Sequence, residues 1–150
     1  MATTTKSISS VLNHLIETCK DGEHGFKTAA EDVKNPAMRT LFEELSLERG
    51  RFIHELEGLV RSVGEDVEQT GSVAGVMHRA WIDLKSAISS GSEKAVLAEC
   101  ERGEDSAVAQ YREALDHDLP ASIRNTVQQQ YVAVQNAHDR VRALRDAYQD

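Results

Sequence analysis

The chain has little of what a disulfide scaffold, a membrane span or a nucleic-acid binder needs. Its 150 residues hold two cysteines, Cys19 and Cys100, too few for a disulfide framework and with no Cys-x-x-Cys spacing. No apolar run approaches the roughly 18–20 residues that cross a bilayer, so no membrane partner is expected. The opening stretch MATTTKSISS has no apolar signal-peptide core, and the cytoplasm is the expected location. Lys and Arg number 17 against 25 Asp and Glu, whereas tracking a phosphate backbone requires clustered cations, so no nucleic-acid partner is expected either. A Gly-rich phosphate loop and a strand-to-helix serine elbow are both missing, and no nucleophile has an obvious base beside it.

What is present is helical periodicity. Ile8, Leu12, Leu15, Cys19, Phe26, Ala29 and Val33 form one apolar stripe, and Asn35-Pro36 restarts the chain as a cap followed by a first-turn proline. A second stripe runs from Met38 through Leu45, Phe52 and Leu56 to Val63, before Gly64. Ser72 can cap a shorter helix bearing Met77, Trp81 and Leu84. Ser92 and Leu119-Pro120 open two further long helices. No segment alternates with period two. The spacing predicts an all-α chain of one domain, 1–150, made of a hairpin at 7–63, a crossover at 64–92 and a hairpin at 93–149.

The halves resemble each other. Cys19-Lys20-Asp21-Gly22-Glu23 aligns with Cys100-Glu101-Arg102-Gly103-Glu104 at an offset of 81, and the second helix of each half aligns at an offset of 85. A pseudo-twofold axis then relates two hairpins. A joining segment long enough to span the bundle makes the two inner helices parallel, which is the one-crossover topology of ferritin-like four-helix bundles.

The inner stripes carry polar residues. Glu23 and Glu104 follow their cysteines by one turn, Arg49 falls between Leu45 and Phe52, and Gln130, Gln135 and His138 lie along the last helix. Ferritin-like di-metal sites take a Glu from each of two helices and Glu-x-x-His from each of the other two. Here Glu23, Glu104 and His138 are candidate ligands for iron or another divalent metal. Gln135 stands where a carboxylate is needed, and Gly50 and Ile53 stand at the positions matching Gln135 and His138. The alternative is a buried polar network of Glu23, Arg49, Glu104, Gln130, Gln135 and His138, with the guanidinium forking to Glu23 or Glu104 and no resident cofactor. Cys19 and Cys100 are expected to be buried thiols, too far apart along antiparallel helices for a disulfide.

The stretches Leu12–Phe26, Gly71-Ser72 with His78–Lys85, Glu99–Asp105 and Ala137–Arg142 resemble a bacterial family of ferritin-like four-helix bundles known as a domain of unknown function. The resemblance implies a fold and no established activity. It suggests a stress-associated, non-catalytic bundle acting by binding or assembly, with metal binding or oxidoreductase chemistry at Glu23, Glu104 and His138 as the alternative. A homo-oligomer, most simply a dimer, is the expected partner state, and the Met77/Trp81 helix either covers the bundle or offers an apolar patch. A Dps-like DNA-protecting role is opposed by the acidic balance and by the single lysine, Lys6, near the N-terminus.

Overall fold

A computed structural model describes residues 4–67, 81 and 83–148. Its helices are α1 (Thr5–Asp32), α2 (Pro36–Ser62), a short α3 (Leu84–Ser89), α4 (Glu93–Leu115) and α5 (Ala121–Ala147), with no strand among the described residues. The helix starts follow local chemistry. The side chains of Thr4, Asn35 and Ser92 accept the backbone N–H of Ser7, Met38 and Ala95, relieving the unpaired donors of α1, α2 and α4. Gly64 and Gly91, at φ +78° and +77°, turn the chain after α2 and before α4, a conformation that costs other residues.

The long helices form a four-helix bundle of ferritin-like topology. α1 packs along α2, α4 along α5, and the two hairpins meet where α1 lies on α4 and α2 on α5. The short α3 sits in the crossover and packs on α4 and α1. Ser72 and Met77, assigned to the crossover helix from periodicity, lie outside the described residues. Trp81 is described, and its ring is buried among the helices rather than displayed. The α1–α2 turn is fastened to the second hairpin by Glu93. Its carboxylate accepts the phenol of Tyr148 (2.7 Å) and the backbone N–H of Asn35 (3.0 Å) and Lys34 (2.9 Å). Those hydrogen bonds, Tyr148 foremost, hold its pKa below the usual carboxylate range.

The core has two apolar clusters. One gathers Phe26, Phe42, Met38, Leu45, Trp81, Leu97, Cys100 and Val141. The other gathers Leu12, Leu15, Ile16, Cys19, Leu56, Tyr111, Val127 and Val134. Each large apolar side chain withdrawn from water contributes ~1.5–3 kcal/mol, and these two groups drive assembly. Arg49 and Glu104 are fully buried but belong to neither cluster. They are the polar interruption that the inner stripes announce. Among the described residues no helix is long and apolar enough to cross a membrane.

Candidate functional site: a buried ion pair in the bundle interior

Arg49 comes from the middle of α2 and Glu104 from the middle of α4, and the guanidinium Nη2 donates to the Glu104 carboxylate across the core. The backbone of α1 makes room for this. A methyl group on Gly22 would stand 2.7 Å from Arg49 Nη1, so α1 admits the guanidinium only where it lacks a side chain. The Arg49 charge also lies 5.6 Å from the centre of the Phe26 ring, within cation–π range. Burial disfavours the charged guanidinium, but attraction and hydrogen bonding from Glu104 override it and hold the Arg49 pKa above its ordinary value. The pair is one ion pair and not a fork, because Arg49 Nε and Glu104 Oε1 are buried without hydrogen-bond partners.

A second polar chain leads outward from Cys19. Tyr111 lies 3.1 Å from Cys19 Sγ and donates its hydroxyl proton to Gln130 Oε1 at 2.6 Å. With the phenolic proton so used, the thiol is the donor to Tyr111. Gln130 Nε2 then donates to the Glu55 carboxylate at the surface (2.8 Å) and to the Phe52 carbonyl (3.4 Å). Burial pushes the Cys19 thiol up to about 11, against the lowering influence of Arg49 and Tyr111, and pushes Cys100 and Tyr111 well above their usual values. Both cysteines are buried free thiols, and burial keeps them protonated and unreactive at neutral pH.

The remaining sequence candidates lie elsewhere. Glu23 is half-buried on the α1–α2 side, its carboxylate lodged where a methyl on Gly50 would meet Oε2 at 2.7 Å. Gln135 donates to the Tyr131 hydroxyl at 3.0 Å. His138, placed on the inner face of the last helix by periodicity, is instead drawn to the α4–α5 surface seam. There Nε2 meets Asp105 at 2.5 Å and Nδ1 meets Asp139 at 3.2 Å, with Glu101 3.9 Å away. Burial lowers its pKa, but hydrogen bonds to Asp139 and Asp105 and the nearby carboxylates outweigh burial and raise it. The inner line of α5 is Ile123, Val127, Gln130, Val134, Ala137 and Val141, and position 138 is one residue, ~100° of helix, round from Ala137. Carboxylates on α4 and α5 capture the imidazole there.

The structure therefore joins Arg49 to Glu104 and ties Gln130 to Tyr111, while Glu23, Gln135 and His138 stand apart from that pair. The proposed ligands Glu23, Glu104 and His138 are not assembled, and among the described residues no group of three or more His, Cys, Asp or Glu side chains is placed to hold a metal ion. A resident metal does not fit this donor set. Of these three candidates only Glu104 is fully buried, and it faces a guanidinium, where a second cation would meet the repulsion of Arg49.

Two features of the interior carry uneven signals in the sequence. By helical spacing Tyr111 is one apolar member of the α4 stripe, and nothing local marks its hydroxyl as the link between Cys19 and Gln130. The glycines carried a clearer signal. Gly22 and Gly103 recur at the same repeat position, and each is a socket, Gly22 for Arg49 and Gly103 for the Trp81 indole. Gly25 supplies the other wall of the Trp81 socket, and the indole packs edge-on against Phe26 at 5.1 Å between centroids.

Two helical hairpins joined by a long crossover give this chain the topology of a ferritin-like four-helix bundle. The chain belongs to the family described as a domain of unknown function, DUF2383, which matches residues 7–117. The fold is also that of a mutant of Dps1 from Mycobacterium smegmatis, with a TM-score of 0.80 and 15% identity over 93% of this chain and 95% of that one. At that identity the likeness concerns the fold alone. A comparison with curated proteins returns no match.

Proposed function

We propose that the protein is a cytoplasmic, stress-associated ferritin-like bundle without catalytic activity, which acts by associating with itself. In this reading the bundle interior is a structural polar layer and holds no resident cofactor. The observation that carries it is the Arg49 guanidinium on the Glu104 carboxylate, where a metal-binding bundle would need a metal ion. Breaking a buried pair of this kind leaves an uncompensated charge, which costs ~3–5 kcal/mol, so the pair resists exchange for a metal.

Metal binding is the second reading, and one observation favours it. Glu104 Oε1 is buried without a hydrogen-bond partner and could accept a cation if Arg49 swung away. Elemental analysis of protein purified without chelator, followed by anaerobic Fe²⁺ titration and exposure to air, separates the two. The structural reading expects no stoichiometric metal and no iron oxidation above background. Stoichiometric iron, manganese or zinc that disappears in Glu104→Ala would overturn it.

A further inference from the structure

The described surface displays two large hydrophobic side chains, and Leu47 is the more exposed of them, at 68%. It lies midway along α2 and edges an open groove of about 810 Å³ between α1 and α2, lined also by His24, Lys27, Arg39 and Glu43. The residues around it are arranged with opposite charges at equal distances. Glu43 stands one turn before Leu47 and Arg51 one turn after; Arg39 stands two turns before and Glu55 two turns after. All four are exposed; Arg39 donates to the Val33 carbonyl and Glu55 accepts from Gln130, whereas neither Glu43 nor Arg51 forms an ion pair with a described residue of its own chain.

We infer that this face of α2 is the contact surface for a second copy of the chain, bound antiparallel with Leu47 on Leu47 at the twofold axis. The inference rests on the self-association proposed above and names its surface. In an antiparallel pair centred on Leu47, Glu43 of each copy comes level with Arg51 of the other, and Arg39 with Glu55. The symmetry makes the Glu43–Arg51 contact twice, so two oppositely charged pairs flank one apolar contact, while Arg39 and Glu55, ~80° round the helix from Leu47, lie toward its edges. The ladder from Arg39 to Glu55 extends ~24 Å at 1.5 Å per residue, long enough for two helices to lie together. A parallel pair in the same register would set Glu43 against Glu43 and Arg51 against Arg51. Like charges face each other there, so the pattern selects the antiparallel dimer as well as permitting it. The neighbouring groove gives the partner's α2 a trough to lie against.

Sedimentation equilibrium of the full chain across a concentration series tests this. The wild-type protein is expected to dimerise, Leu47→Glu to weaken the dimer by ~10-fold or more, since a central buried anchor carries much of an interface, and Glu43→Arg to weaken it less. The double variant Glu43→Arg with Arg51→Glu restores the complementarity with the signs reversed and is expected to regain the dimer. Circular dichroism confirms that each variant is folded. A dimer that Leu47→Glu leaves intact overturns this surface while leaving self-association standing. A wild-type protein that stays monomeric at every concentration overturns both. Failure of the double variant to recover would overturn the antiparallel register.

Discussion

The two Cys-x-x-Gly-Glu segments start from the same letters and end in different chemistry. In the first, Cys19 bonds to Tyr111, Gly22 receives Arg49, and Glu23 is half-buried beside Gly50. In the second, Cys100 sits in the apolar cluster around Trp81, Gly103 receives the indole, and Glu104 is fully buried against Arg49. The shared feature is a helix backbone bared at one position so that a large side chain from elsewhere can reach the centre. The difference comes from what arrives. At the offset that aligns the second helices, Arg49 matches Val134 and Leu45 matches Gln130, so each of those helices contributes one large polar side chain to the interior, one turn out of step with the other. One supplies a cation to the second hairpin's glutamate. The other supplies an amide to the tyrosine beside the first hairpin's cysteine.

The comparison breaks most sharply at Arg49. Arg49→Ala strands the Glu104 carboxylate in the core and is expected to cost ~3–5 kcal/mol in urea denaturation, against ~0.5 kcal/mol or less for the exposed Arg61→Ala. Replacing both partners, as Arg49→Met with Glu104→Leu, should recover most of that loss, because a well-packed apolar pair removes the desolvation cost. Equal midpoints for the Arg49 and Arg61 variants would contradict a buried pair.

The sockets come next. Gly103→Ala places a methyl inside the Trp81 ring and should destabilise by ~1–3 kcal/mol, with a shift in tryptophan fluorescence as the indole is displaced. Gly58→Ala is the control, since its added methyl meets nothing within 4 Å and it lies within α2. That change should stabilise by ~0.5–1 kcal/mol, because alanine suits a helix interior better than glycine. Tyr111→Phe removes the donor to Gln130 Oε1 and the acceptor for Cys19, with an expected loss of ~1–3 kcal/mol for the buried groups left unpaired. In the folded protein neither cysteine should react readily with a thiol reagent at neutral pH, given burial and a Cys19 pKa near 11.

The smallest effect belongs to His138 on the outer seam. Its pKa is raised in the folded state, so its contribution is fully present below the unfolded histidine value and disappears as pH rises through the folded pKa. Wild type and His138→Gln should therefore differ more in melting temperature at pH 5.5 than at pH 9. A difference that grew toward high pH would contradict the carboxylate clamp.

Helix chemistry was legible in the sequence because it is local. Asn35 and Ser92 cap where their side chains predict, Pro36 sits in a first turn, and the all-α bundle follows from stripes that need no partner to be recognised. The polar interior was legible only by residue type. Arg49 and Glu104 announced themselves as charges on apolar faces, but the choice between Glu23 and Glu104 as the partner depends on helix rotation across the bundle. His138 shows the limit most clearly. One residue of rotation, ~100°, carries it from the inner face to the seam, and the force that decides is a pair of carboxylates, Asp105 and Asp139, whose approach periodicity does not encode. The Trp81 socket was equally out of reach, because it joins residues from three separate parts of the chain.

The most direct test sets the two repeat glutamates against each other by urea denaturation of Glu104→Gln and Glu23→Gln. Neutralising Glu104 leaves the Arg49 guanidinium buried without a counter-charge and is expected to cost ~3–5 kcal/mol, while neutralising the half-exposed Glu23 should cost about 1 kcal/mol or less. Equal losses for the two variants, or a larger loss at Glu23, would contradict the claim that the interior of this bundle is organised by a single buried ion pair.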